Sequence, residues 1–506
     1  MGAIPRPAVM ALPRIAVSNR LVAAALPLGV FAGTLAFYVA LAPRGVTDGD
    51  SAEMTVAAAT LGVPHPPGYP LYVLTGRLFA AVPIGDVAFR LNVMSGVFGA
   101  LAALLVYATV LELTRRRESA LVAALSLAFS YHFWAESLVA EVYTMDAALL
   151  AGLLYALCRW GRTRDQRLLY AAFLLLGLSL ATRTTSLLLV APLLIWGAMS
   201  GAWRYGPELL RGLAITISAL ALYFFLPIAD LGGARYIWSI GYDLRGAPVH
   251  ADLAAVEGLR WYVSAEIFRP LVFAYAPWDA WPELRWYSRW LFQEFLVVGL
   301  LLGVAGLGYA WRRDRAFAVL TVAIFLIQAG FFVNYGAADK DQMLLPTALM
   351  WSVWIGLGAF AVQELLERST QPRARALVAT LLLAFPVALF AANVSSVQPD
   401  ASASASVDGL LREARPGALV IGPWSKIERL EYYQKVKGQR PDLRLVQQWP
   451  LSADALDRLV SANIDTQTIY VTDEIASLRD GYALVNAGDW FVVQRLRLGR
   501  RTRVPA

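Results

Sequence analysis

Residues 92–113 read NVMSGVFGALAALLVYATVLEL, and Thr114 and the triplet Arg115-Arg116-Arg117 follow at once. Within the run the only charged residue is Glu112, and no proline interrupts it. A helix needs about 20 mostly apolar residues to cross the ~30 Å hydrocarbon layer of a bilayer. This stretch is therefore a membrane-spanning helix that stops at a basic stop signal. The same pattern recurs at 21–41, 119–133, 138–158, 168–182, 184–200, 208–230, 291–311, 316–334, 342–364 and 374–394. About eleven spans are expected, with those at 119–133 and 168–182 short enough to be tilted or re-entrant.

Composition agrees. Of 506 residues 58% are hydrophobic and 16% charged, against about 45–50% and ~25% in soluble domains. That excludes a soluble enzyme, a disordered chain and a collagen-like fibre. The single cysteine, Cys158, permits no intramolecular disulfide, and the scattered His65, His132 and His250 form no zinc-helix motif. The net charge of +7 is carried almost wholly by arginine, since only Lys340, Lys426, Lys435 and Lys437 are lysines. Such a bias fits a GC-rich, bacterial genome. The basic excess reads as membrane topology and not as nucleic-acid binding.

Arginines recur in every second connector: Arg115 to Arg117, then Arg159, Arg162, Arg164 and Arg167, then Arg204 and Arg211, Arg312, Arg313 and Arg315, and Arg368, Arg373 and Arg375. The alternate connectors hold little more than Arg183 and Lys340. By the positive-inside rule the N-terminus is cytoplasmic and the C-terminal segment extracytoplasmic. Arg14 and Arg20 before the first span, and Ala40-Leu41-Ala42 after it, resemble a secretory signal, but the apolar run is long and reads as an uncleaved first helix.

The chain divides into a transmembrane part, 1–394, with outer loops at 43–91 and 231–290, and an extracytoplasmic part, 395–506. The second loop is dense in aromatics (Trp238, Trp261, Tyr262, Trp278, Trp281, Trp286, Tyr287, Trp290). Such rings favour the headgroup layer, though they can also stack on sugars. After a Ser/Ala linker at 401–406, strands are expected at 419–421, 443–446 and 468–471, helices at 426–437 and 453–462, and a strand pair in 482–496. That alternation predicts a small α/β unit with a partly parallel sheet.

Ionisable residues gather at one mouth of the bundle, the outer one: Asp48, Asp50 and Glu53 after the first span, Glu136 and Glu141 at the turn between the third and fourth, Arg183, and Asp339, Lys340 and Asp341. Each has a plainer reading. Ser51 or Asp50 fits an N-cap for the helix that Glu53 opens. Arg183 fits a snorkelling side chain, and Asp339 and Asp341 fit solvated loop charges. Glu141, beside Val142 and Tyr143, needs a partner such as Arg183. His65-Pro66-Pro67-Gly68-Tyr69-Pro70 cannot be helical and must be a stiff turn.

Gly49-Asp50-Ser51-Ala52-Glu53, with Leu61-Gly62-Val63-Pro64-His65-Pro66-Pro67-Gly68-Tyr69-Pro70-Leu71-Tyr72, resembles the signature of the transmembrane protein O-mannosyltransferase-like family. Arg90-Leu91-Asn92, Glu141-Val142-Tyr143, Asn334-Tyr335-Gly336 and Gly438-Gln439-Arg440-Pro441-Asp442 extend the likeness along most of the chain. Ala52 replaces the family's usual glycine, and the Asn-His pair usual near Thr182-Arg183 is missing.

The resemblance implies an all-α polytopic GT-C-like fold, a polyprenyl-phosphate-linked sugar donor, a protein or glycan acceptor, and an inverting transfer at the outer face of a bacterial inner membrane. Asp50 is then the expected catalytic base, with Asp48 second and Glu53 beside them. His65, Tyr69, Glu141, Tyr143, Arg183 and Asp339 are the expected substrate-binding set, Arg183 as the phosphate clamp. No cofactor is assigned, and a divalent cation beside Asp48, Asp50 and Glu53 stays open. The rival reading is a transporter or flippase for a lipid-linked substrate, against which stand span interiors nearly free of charge and the absence of a repeat.

Overall fold

A computed structural model describes residues 19–47, 49–276, 278–367, 372–397 and 403–496. Asp48, Arg14, Arg368 and residues 401–402 of the Ser/Ala stretch lie outside them. The N-terminal two thirds is helical. It runs α1 (Asn19–Leu41), α2 (Asp50–Thr60), α3 (Pro70–Ala80), α4 (Val87–Thr114), α5 (Arg117–Ala128), α6 (Tyr131–Glu136), α7 (Tyr143–Thr163) and α8 (Gln166–Thr182). Then come α9 (Val190–Ser200), α10 (Gly206–Leu220), α11 (Phe225–Leu231), α12 (Val256–Val263), α13 (Ala280–Arg313), α14 (Arg315–Val333), α15 (Leu345–Glu367) and α16 (Pro372–Asn393). A two-stranded ribbon, β1 (Gly241–Tyr242) and β2 (Pro248–Val249), lies in the second loop.

Each expected span contains helix, and six helical stretches are long and apolar enough to cross a membrane: Val87–Thr114, Gly206–Leu231, Ala280–Arg313, Arg315–Val333, Gln342–Glu367 and Ala376–Asn393. Ala25–Leu41, Gln166–Thr182 and Thr184–Ser200 are apolar but shorter. The protein is thus a multi-pass membrane protein. Without a hydrophobic drive between helices in lipid, packing depends on small residues that let backbones approach. At the α13–α15 crossing a Cβ on Gly306 would strike the carbonyl of Trp354, and one on Gly358 that of Leu302.

Two spans differ from expectation. The stretch at 119–133 breaks at Phe129 and Ser130 into α5 and the short α6. α13 begins eleven residues early, taking in 280–290 of the second loop, and carries a non-helical break at Leu296 (φ 52°, ψ −179°).

The arginine connectors meet at one end of the bundle. Arg115, Arg159 and Arg162 all reach the buried Glu112 at the end of α4, and Arg116 pairs with Glu367 at the end of α15. Those charges offset one another at the helix C-termini, where cations are favoured.

The C-terminal region holds α17 (Ala403–Glu413), β3 (Leu419–Gly422), α18 (Trp424–Glu431), β4 (Arg444–Gln447), α19 (Ala453–Asn463), β5 (Ile469–Val471), β6 (Tyr482–Asn486) and β7 (Phe491–Arg495). The strand order is β4-β3-β5-β7-β6, parallel across the first three and antiparallel across the rest. Side chains alternate faces along a strand. Leu419 and Ile421 accordingly join Leu456, Leu459 and Val460 of α19, while Val420 joins Leu410, Ile427 and Leu430 on the other side. The Ser/Ala stretch is helical from Ala403 onward instead of a linker. α18 packs on α2, where Tyr432 enters a core with Ala52, Val56 and Tyr236.

Candidate active site

α2 begins directly at Asp50, behind Gly49, whose φ of 76° favours glycine. No side chain caps this helix. The expected N-cap role of Ser51 or Asp50 is therefore wrong: both residues lie inside the first turn. Ser51 is buried, and its hydroxyl oxygen accepts the Ala140 amide at 3.0 Å, tying α2 to the α6–α7 turn.

One turn on, Glu53 is fully buried. A buried carboxylate is costly unless hydrogen-bonded, and this one takes three donors. The His65 amide donates to Oε1 at 2.5 Å, His65 Nδ1 lies 2.7 Å from Oε2, and Trp424 Nε1 donates to Oε2 at 3.1 Å. Tyr69 Oη lies 2.8 Å from His65 Nε2. Nδ1–H donates to Glu53; at Nε2 a neutral ring accepts from the Tyr69 hydroxyl, while a charged ring donates to its oxygen. Asp50 Oδ2 stands 3.9 Å from Nε2 with its side chain 27% exposed, so it is the open member of the cluster.

The proline turn is held from outside. The Val63 and Trp238 amides exchange bonds with the carbonyls of Tyr236 and Val63, each at 2.9 Å, and the Tyr262 hydroxyl donates to the Pro64 carbonyl at 2.7 Å. Trp238 and Tyr262 are fully buried, and Tyr287 and Trp290 are core residues, so half of the expected headgroup aromatics are packing groups; Trp278 and Trp281 remain exposed. Trp424 meets His65 edge-on at 4.8 Å and stacks on Trp449 at 5.6 Å, which stacks on Phe268 at 5.9 Å. The C-terminal region is thus part of the site.

Burial pushes the Asp50 carboxyl up to about 6, helped by Glu53 and Asp339 and opposed by His65. Burial works against a charged His65, but the carboxylates of Glu53 and Asp50 hold its pKa above the ordinary value. Glu136, at the end of α6, is pushed up to about 8, first by burial and then by Asp50 and Asp339, with His132 and Arg183 opposing. These groups therefore share one electrostatic neighbourhood.

Arg183 is buried, not snorkelling. Its Nη1 lies 3.7 Å from Asp146 Oδ2, and its guanidinium sits 4.6 Å from the Tyr143 ring centroid. The acid beside Arg183 is therefore Asp146 in place of the expected Glu141. Asp146 also accepts from Ser179 at 2.5 Å and Ser186 at 3.2 Å. Glu141 is buried, and its backbone amide donates to Ser95 Oγ at 3.3 Å. Asp339 is exposed at the rim. Lys340 is buried and structural, donating to Glu283 at 2.7 Å and to the carbonyls of Tyr335 and Val333.

A second histidine cluster lies beyond Glu136. The His132 amide donates to Glu294 Oε1 at 3.0 Å, and the Nδ1 of His132 lies 2.5 Å from the same oxygen. Its Nε2 is 3.7 Å from Asp341 Oδ2, and its ring stacks on Trp290 at 5.3 Å. Trp424, Asp146 and Glu294 were missed in the sequence. Asp146 and Glu294 contradict the near-absence of charge inside the spans, and a lone acid in an apolar run was the available signal. Trp424 had none.

Donor atoms of Asp50, Glu53 and His65 lie within 4.8 Å of one another, close enough to hold a metal ion. Glu53 and His65 are already engaged with each other and with Trp424 and Tyr69, so a cation would have to break those bonds.

Residues 50–205 match the family model described as "Protein O-mannosyl-transferase TMEM260 N-terminal domain". A mouse (Mus musculus) protein named Protein O-mannosyl-transferase TMEM260 is 35% identical over 234 residues, 44% of this chain and 33% of the relative. A Dictyostelium discoideum protein of the same name is 25% identical over 361 residues, 64% of this chain and 43% of the relative. The chain spans less than half the length of these curated relatives. Among solved structures, ArnT from Cupriavidus metallidurans bound to undecaprenyl phosphate aligns at a TM-score of 0.57 with 11% identity, over 94% of this chain and 98% of that one. The Archaeoglobus fulgidus oligosaccharyltransferase in complex with Zn and sulfate aligns at 0.50 with 13% identity, over 90% of this chain and 68% of that one. The fold is accordingly GT-C-like, and the family resemblance drawn from Asp50 and the proline turn is borne out.

Proposed function

We propose that this chain is a GT-C glycosyltransferase that moves a sugar, a mannose-like hexose, from a polyprenyl-phosphate donor to a hydroxyl of a protein or glycan. In this reading the reaction takes place at the extracytoplasmic face of a bacterial inner membrane, with the N-terminus cytoplasmic and the 395–506 unit outside. The observation that carries the proposal is the Asp50–His65–Glu53–Tyr69 cluster, with one half-open carboxylate and a buried arginine in the same electrostatic neighbourhood.

Asp50 takes the proton of the acceptor hydroxyl as its oxygen bonds to the anomeric carbon. The bond from that carbon to the phosphate oxygen breaks, the electron pair leaves with the polyprenyl phosphate, and the anomeric centre inverts. A base whose pKa lies nearer the working pH transfers protons more effectively than an ordinary aspartate, and burial supplies that shift at Asp50. Arg183 meets the charge growing on the phosphate, because a guanidinium can grip two phosphate oxygens at once. Glu53 and Tyr69 fix the His65 ring so that Nε2 faces Asp50. Tyr143 orients Arg183 through its ring, while Glu141 and Asp339 line the donor side. Asp48 is the second choice for the base. In this reading side chains carry the proton and the phosphate charge, and the effect of a chelator on the rate tests whether a divalent cation beside Asp50 and Glu53 takes part.

A transporter of a lipid-linked substrate is the second reading, favoured by Asp146 and Glu294 within the apolar runs. Replacement of Asp50 by Asn decides between them. The transferase reading expects sugar transfer from a polyprenyl-phosphate donor, assayed in detergent, to fall by about 10²–10⁴-fold. A wild-type rate in D50N, or lipid flipping without transfer in the parent, overturns it.

A further inference from the structure

The second histidine cluster does no work in the mechanism above, yet it repeats the first in its wiring. In each, one buried glutamate grips both the backbone amide and Nδ1 of a histidine, and an aspartate stands within 4 Å of Nε2. They differ in saturation. Glu53 has donors on both oxygens, the second being shared by His65 and Trp424. Glu294 is equally buried, but its Oε2 has no hydrogen-bond partner among the described residues, and neither has Glu136 Oε2. A buried acceptor left without a donor is destabilising, so a carboxylate held in that state is matched to something that brings a donor.

The backbone supports the same view. The helix break at Leu296 lies two residues beyond Glu294, and φ of 52° is an unfavourable setting for a leucine. The Asp341 side chain is 39% exposed, which leaves one side of the cluster open. Glu136 links it to the first cluster, since charges on His132 and Asp50 both act on its carboxyl.

We propose that Glu294 and Asp341, oriented by His132, form the subsite that accepts hydrogen bonds from the hydroxyls of the donor's sugar, with Glu136 beside it, and so set which sugar is taken. This rests on the transferase reading. Hydroxyl-bearing ligands supply the missing donors, and a site built to bond a hydroxyl discriminates strongly against a ligand that lacks it.

The test measures binding of two probes to the purified full-length chain in detergent: a polyprenyl phosphate, and the same lipid phosphate carrying a hexose. Glu294→Gln keeps a carbonyl oxygen for His132 but swaps the orphan acceptor for a donor. Asp341→Asn alters a half-exposed residue, so it keeps the fold. The parent is expected to prefer the sugar-bearing lipid, and each variant to lose about tenfold of that preference while binding the bare lipid phosphate within twofold of the parent. Variants that keep the full preference overturn the subsite and leave the transferase reading intact. A parent that binds neither lipid overturns both. A manganese ion bound by the parent and lost in Glu294→Gln also overturns the subsite, making it a cation site.

Discussion

His65 and His132 are held in the same way by different kinds of structure, and the difference separates a finished site from an open one. His65 sits on a proline turn that cannot move as a helix. It is clasped by α2, the 231–290 loop and Trp424 of the C-terminal region. Both carboxylate oxygens of Glu53 have donors, so the open member is the partly exposed Asp50. His132 sits on a six-residue helix between membrane segments, against a broken α13, with a carboxylate oxygen unpaired. Saturated networks rigidify, whereas a partly satisfied one holds a costly unpaired acceptor.

The sharpest way to break the comparison is to neutralise the two glutamates in parallel. Glu53→Gln is expected to lower turnover by about 10³-fold, a loss of roughly 4 kcal/mol of transition-state stabilisation. Glu294→Gln is expected to act on donor KM more than on kcat. Equal kcat losses in steady-state assays would erase the distinction between the clusters. Next in size is the anchor of the outer rim. Lys340→Met leaves Glu283 without its cation and is expected to cost about 3 kcal/mol of stability, read as a lower midpoint of thermal unfolding in detergent.

Trp424→Phe keeps the ring against His65 but removes the donor to Glu53. It is expected to lower kcat by about tenfold with an unchanged unfolding midpoint, while the same change at Trp281, exposed in the first turn of α13, is expected to leave kcat alone. The smallest effect is in pH. Transfer needs Asp50 ionised, so the rate should climb as pH rises through about 6. A charged His65 favours the ionised Asp50, so His65→Gln is expected to move that limb to higher pH by less than one unit. A limb that stays in place would detach His65 from Asp50.

Much of this was legible in the sequence. The apolar runs gave the helices because a bilayer imposes a length on them, and the tail's alternation predicted each strand of its sheet, since period-2 patterns flanked by turns have few other solutions. Asp50, Glu53, His65 and Tyr69 converge as expected because they lie within twenty residues along one rigid loop. What stayed hidden depends on long-range packing. Arg183 chose Asp146 over Glu141 because helix phase, not proximity in the chain, decides which acid faces α8. Half of the loop aromatics became core for different reasons: Tyr287 and Trp290 pack inside the helical bundle, Tyr262 against the proline turn, and Trp238 against Trp424 and Trp449; nothing in their immediate sequence neighbours foretells that.

The bond from Trp424 to Glu53 joins residues 371 positions apart. A ribosome adding about 5–20 residues per second delivers the second partner roughly 20–70 s after the first. The early loop must therefore wait, folded but unlatched, until Trp424 and the sheet around it emerge and close over it. Order of synthesis thus serves as a safety catch, keeping the pocket incomplete in any chain released before that sheet is made.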